Sequence, residues 1–134
     1  MNEANHSIAG DWLGRYFYDD GVSGSCFEAI FLESKGYVEG SMLDDGQLGE
    51  AFVSGTFEYP NLRFIKKYRR AGLEPVNYIG SMSEDGQTIS GSWWIDARGE
   101  GAPTSGTWTA SRTGGHTEHL PEKLSEELTL SSTI

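Results

Sequence analysis

The sequence predicts an all-β domain: an eight-stranded, up-and-down antiparallel meander closed into a barrel, with a short helical or extended C-terminal tail. Three observations carry this. A small–polar–bulky unit recurs at Gly40-Ser41-Met42, Gly55-Thr56-Phe57, Gly80-Ser81-Met82, Gly91-Ser92-Trp93 and Gly106-Thr107-Trp108. In a strand, the first and third residues of such a unit share one face and the middle one faces away. The alternating runs are separated by short Gly, Asp, Asn and Pro clusters, the punctuation of hairpins rather than of long crossovers. A content of 18 glycines and 12% aromatics suits strands and tight turns better than helices. Sequential hairpins favour a closed meander over a β-sandwich, and closure removes exposed sheet edges.

In chain order, residues 1–8 form a flexible arm and residues 9–112 the barrel. Strand 1 is Gly10–Tyr18, with Trp12, Tyr16 and Tyr18 on one face and Asp11, Leu13, Arg15 and Phe17 on the other. A loop through Asp19-Asp20-Gly21 and Ser23-Gly24 follows. Strand 2, about Ser25–Ser34, is apolar in both phases, so either Cys26, Glu28 and Ile30 or Phe27, Ala29 and Phe31 face inward. Lys35-Gly36 is a tight turn into strand 3, Tyr37–Leu43, which gives way to a loop through Asp44-Asp45-Gly46. Strand 4, Ala51–Glu58, sets Val53, Gly55 and Phe57 against Ser54, Thr56 and Glu58. Pro60-Asn61 turns the chain into strand 5, Leu62–Arg70, and Gly72 and Pro75 mark the loop before strand 6, Val76–Ser83. Glu84-Asp85-Gly86 turns into strand 7, Thr88–Ala97, and the stretch Arg98–Pro103 leads to strand 8, Thr104–Arg112. In the tail, residues 113–134, Pro121 stands early in a helical turn that carries Leu124 and Leu128 four apart.

At 134 residues the chain is one domain, long enough to bury a core. The net charge of −10 argues against nucleic acid or an anionic membrane as partner. The single Cys26 cannot form an internal disulfide, and no apolar run is long enough to span a bilayer. Residues 1–9 lack the basic and apolar regions of a signal peptide, so a cytoplasmic location is expected.

Gly10-Asp11-Trp12 in the first strand and Arg112 at the end of the last resemble the calycin superfamily of lipocalin-like and avidin-like barrels. In that group a Gly-x-Trp of the first strand is covered by a basic residue from the last. The resemblance spans about residues 9–112; it extends neither to a second lipocalin signature nor to the biotin-binding residues of avidins. It implies a barrel that binds a small hydrophobic molecule, with Arg112 packed on Trp12.

An up-and-down meander sends its connections alternately to two ends. One end collects the short turns at Lys35-Gly36, Tyr59-Asn61 and Glu84-Gln87, together with Trp12 and Arg112, an aromatic–cation pair suited to a floor. The other collects the longer loops at 19–24, 44–50, 71–74 and 98–103, where binding residues tend to sit. The ligand-binding candidates facing inward are Tyr16, Tyr18, Met42, Lys66, Tyr68, Tyr78, Trp93 and Trp108, alongside Val53, Val76 and Ile95. Tyrosine and tryptophan supply both apolar surface and polar handles. The same residues could simply fill a solid core, as side chains do in small eight-stranded barrels.

Lys66 is the most informative polar residue, because Phe64-x-Lys66-x-Tyr68 sets it on an apolar face. A buried ammonium needs a carboxylate or water. Glu28 is a candidate partner if strand 2 turns that phase inward. The functional readings are an anchor for an anionic ligand or a Schiff-base lysine. The structural readings are a side chain that snorkels to the mouth, or a register that buries Lys67 instead. Taken alone such a lysine is a cost, so Lys66→Met is expected to stabilise.

Three classes of function follow. The first is non-catalytic binding of a small hydrophobic or aromatic ligand, without a cofactor. The second is a structural or interaction module with a filled barrel. Its contact face would be Phe52, Ile65, Ile79 and Trp94, outward on consecutive strands and suited to a homodimer, or covered by Leu120, Leu124 and Leu128 of the tail. The third is a barrel isomerase or cyclase using Lys66, Tyr68 or Tyr78 as acid or base, or a haem-binding barrel using His116 or His119. No catalytic triad, phosphate loop or metal-ligand spacing occurs, and Asp19-Asp20-Gly21 and Asp44-Asp45-Gly46 read as turns.

Overall fold

The computed structural model describes residues 6–20, 23–45, 48–96 and 104–113. Its strands are β1 (Gly10–Tyr18), β2 (Ser23–Ser34), β3 (Tyr37–Asp44), β4 (Glu50–Glu58), β5 (Asn61–Tyr68), β6 (Val76–Met82), β7 (Thr88–Ile95) and β8 (Thr104–Arg112). Each pairs antiparallel with the next, and β1 pairs with β8 to close the barrel in the expected meander order. No described residue is helical. The loop at 97–103, the helical turn near Pro121, the tail leucines and both tail histidines fall outside the described residues.

The register of the ambiguous second strand is resolved by space. Phe27, Ala29 and Phe31 face inward, and Glu28, Ile30 and Leu32 face out. Phe27 stands opposite Gly14 on β1, and its ring fills the volume that a Cβ at Gly14 would occupy. The same interlock recurs: a Cβ at Gly80 would lie 2.7 Å from the Trp108 indole, and one at Gly106 would lie 2.8 Å from the Trp93 indole. The small–bulky units therefore mesh between strands, each large side chain packed against a glycine. At Lys35-Gly36 both φ angles are positive, 52° and 85°, the geometry of a two-residue type I′ hairpin.

The floor is built around Trp12, which is 1% exposed. The Arg112 guanidinium lies 4.5 Å from the centre of its ring and donates to the carbonyls of Gly86, Ala9 and Ser7. The Trp12 indole donates to Ile8 O at 3.0 Å. Residues 6–8, at the end of the stretch read from the sequence as an arm, are tied to the floor. Ile8 is fully buried, Glu33 Oε1 accepts from Ser7 Oγ and Ile8 N at 2.9 Å each, and His6 stacks on Tyr59 at 3.9 Å. Burying Ile8 beneath the core offsets the entropy of ordering this segment. Above the floor sits an aromatic layer in which Phe64 and Tyr78 stack at 4.6 Å and Trp108 meets both edge-on at 6.1 and 5.5 Å.

Candidate functional site

Two strand ends converge at the other end of the barrel. β5 delivers Lys66 and Tyr68 on its inward phase, and β3 delivers Asp44. Lys66 is 1% exposed and Asp44 3%, while Lys67 is outside, so the shifted register is not adopted. Lys66 Nζ donates to Asp44 Oδ1 at 2.8 Å and to Oδ2 at 2.9 Å, and the Tyr68 hydroxyl donates to Oδ2 at 2.7 Å. Glu28 is not the partner of Lys66. It pairs with Leu13 and Leu43 on the outer wall, because β2 gives its inward phase to Phe27 and Ala29.

Asp44 is the buried partner of Lys66 that the sequence reading missed, because Asp44-Asp45-Gly46 has the look of a turn. The signal was the period of two: Val38, Met42 and Asp44 are the buried residues of β3 and share one phase. On the intervening strand, Ala51 stands opposite Met42 of β3 and Tyr68 of β5, so the inward side chain next to this crossing is small.

The electrostatics follow from burial. Desolvation lowers the Lys66 pKa from its ordinary value, and Asp44 works against that by favouring the ammonium. Burial raises the Tyr68 pKa, and its hydrogen bond to the Asp44 carboxylate raises it further. Tyr78 is raised by burial and then by the Asp44 charge, and Tyr16 is pushed up to about 12 for the same two reasons in the same order. Lys66 also sits 4.8 Å from the Tyr68 ring centre and 5.8 Å from that of Tyr78.

Over this trio lies a cavity of about 220 Å³. Tyr16, Tyr18, Lys66, Tyr68, Tyr78 and Trp93 from the sequence reading all line it, as do Val76 and Ile95. Leu48, Leu73, Glu74 and Thr104 complete the rim, and nothing in their spacing marked them. Met42 and Trp108 are core residues, 1% and 2% exposed, and are not part of the cavity wall. Trp93 is fixed by its indole N–H, shared between Phe17 O and Thr107 O at 3.1 Å each, and Tyr18 and Tyr16 meet its face edge-on at 5.2 and 6.0 Å.

A larger hollow of about 550 Å³ lies on the outside of the barrel, over Gly40 and Ser41 and between Ile30, Leu32 and Phe52. It is a surface trough without a buried polar group, whereas the mouth cavity ends on one. The outer wall exposes Phe52, Ile65 and Ile79, with Trp94 half-buried. The register steps Phe52, Ile65 and Ile79 diagonally across β4, β5 and β6, and brings Trp94 on β7 back to the level of Ile65. Among the described residues no group of three or more His, Cys, Asp or Glu could hold a metal ion. No protein-family model and no curated protein matches this sequence.

Proposed function

We propose that this protein binds one small aromatic or apolar molecule in the mouth of a calycin-like barrel and performs no chemistry on it. The observation that carries the reading is a cavity of about 220 Å³, walled by aromatic side chains and lined at its polar end by Lys66 and Tyr68, both of which donate to the buried Asp44 carboxylate. Apolar walls with a few fixed polar groups are what small-molecule sites require. The Arg112 guanidinium over Trp12 adds to the calycin resemblance. Catalysis has less support: burial and Asp44 hold Tyr68 and Tyr78 neutral well above neutral pH, and the Lys66 ammonium is engaged by Asp44. Native mass spectrometry of freshly purified protein tests the reading. A co-purified small molecule whose loss changes Trp93 fluorescence supports it. An unliganded mass, with fluorescence indifferent to a panel of aromatic compounds, removes it.

A second reading concerns the outer wall. The apolar face of Phe52, Ile65, Ile79 and Trp94 suits a two-fold contact with a second copy of the chain. Charge supports that occupant: exposed Arg63 and Lys67 flank Ile65 on β5, and exposed Glu39 and Glu58 lie on β3 and β4, so a two-fold axis can set one sign against the other.

A further inference from the structure

The polar end of the mouth cavity has an unusual balance of donors and charges. Lys66 brings the positive charge there, and it is matched one for one by Asp44 through contacts of 2.8 and 2.9 Å. The remaining hydrogen bond of that carboxylate, at Oδ2, comes from Tyr68 at 2.7 Å. The trio is thus electrically neutral and closed to an incoming anion. A carboxylate would have to displace Asp44 or share one ammonium with it, inside a chain of net charge −10. A cation would face the Lys66 ammonium at short range. What the site leaves open is a neutral donor. The Tyr78 side chain is 3% exposed, lines the cavity, and its hydroxyl donates to no described residue. Its ring is immobilised against Phe64 at 4.6 Å, so the hydroxyl cannot swing out to solvent. A hydroxyl held at the cavity wall is placed to donate to a bound acceptor.

We propose that the cavity takes a neutral aromatic molecule with a carbonyl acceptor, the carbonyl accepting from the Tyr78 hydroxyl and the ring lying against Trp93 and Tyr18. This rests on the mouth-binding reading and adds the ligand's charge and polar group to it. Size agrees: a cavity of about 150 Å³ holds benzene, so about 220 Å³ accommodates a ring with a short substituent. The carbonyl stays non-covalent in this proposal, because the Lys66 nitrogen is engaged by both Asp44 oxygens at 2.8 and 2.9 Å.

The test compares four probes of similar size, acetophenone, toluene, benzoate and benzylamine, by ligand-observed NMR and calorimetry on the full chain. Acetophenone is expected to bind most tightly. In Tyr78→Phe, which keeps the ring stacked on Phe64, the acetophenone-to-toluene affinity ratio is expected to fall about fivefold. The toluene arm reports whether the variant's cavity is intact. Tighter binding of benzoate or benzylamine than of acetophenone overturns the proposal on the parent protein alone. So does an unchanged ratio in Tyr78→Phe. If none of the four binds, the mouth-binding reading fails and this inference falls with it.

Discussion

Asp44 and Lys66 meet inside the barrel from strands that do not touch: β4 runs between β3 and β5, yet the carboxylate oxygens lie 2.8 and 2.9 Å from the ammonium nitrogen. The fully buried β4 residue next to the crossing, opposite Tyr68, is the small Ala51. Both charges are out of water, so each is tolerable only because of the other.

That pairing reverses the expectation for Lys66→Met. With Asp44 left behind, the substitution strands a buried carboxylate, and the variant should lose about 3–5 kcal/mol in urea unfolding. Asp44→Leu alone should cost a similar amount, by stranding the ammonium. The double variant, Asp44→Leu with Lys66→Met, should return close to the parent or above it, because desolvation of both charges is removed. A single Lys66→Met variant as stable as the parent would show that the pair is not buried in solution.

What the sequence disclosed and what it hid have physical reasons. Strand order and most strand limits were legible because glycine and aspartate punctuate the alternating runs. The inward placement of Lys66 and the tyrosines was legible from the phase of strand 5 and its neighbours. The phase of β2 was not, since both faces are apolar; Gly14 opposite Phe27 decides it, and that pairing is long-range. Asp44 was hidden because an aspartate before Asp-Gly serves equally as a strand end and a turn. Ile8 was hidden because its burial depends on Trp12 and Glu33, not on any local pattern.

The floor makes a separate prediction. Trp12 is 1% exposed beneath the aromatic layer, and Arg112 lies over its ring while holding three carbonyls. Trp12→Ala should cost about 3–5 kcal/mol through the cavity it leaves. Arg112→Lys, with one point charge in place of a planar fork, should also lower the melting midpoint, and ligand binding at the far mouth should survive in the folded fraction. A melting midpoint for Trp12→Ala near the parent's would refute this account of the floor.

Alkaline pH should unfold the barrel through its tyrosines. Tyr16, Tyr68 and Tyr78 have pKa values raised above the ordinary value of 10.0 in the folded state, first by burial and then by Asp44, with Tyr16 at about 12. A raised folded value means the folded state holds its protons longer. The stabilisation is therefore fully present below pH 10 and is lost as pH climbs from 10 through 12. Lys66 works in the opposite sense, because its pKa is lowered, but only below its ordinary 10.5. Above that the tyrosine slope stands alone. Urea midpoints should fall steeply beyond pH 10.5, with phenolate absorbance rising together with unfolding. A midpoint flat to pH 12 would contradict the buried tyrosine cluster.

The outer wall is best tested at Phe52, the most exposed of the four apolar residues on this face. Phe52 is 52% exposed on β4, next to Ile65 at 41% on the diagonal, so a charge at position 52 does not disturb the interior. Trp94 is half-buried, and a substitution there would confound association with stability. In a two-fold dimer, Phe52→Glu sets two new carboxylates against the partner's apolar diagonal, beside the native Glu39 and Glu58. Size-exclusion chromatography with light scattering should then show a dimeric parent and a monomeric Phe52→Glu variant, with the monomer's unfolding free energy in urea changed by less than about 0.5 kcal/mol. Raising the salt should weaken the parent dimer, since Arg63 and Lys67 are exposed and screened. A parent that elutes as a monomer at every concentration removes the second copy from this face, and its exposed apolar residues are then the ordinary scatter of a soluble surface.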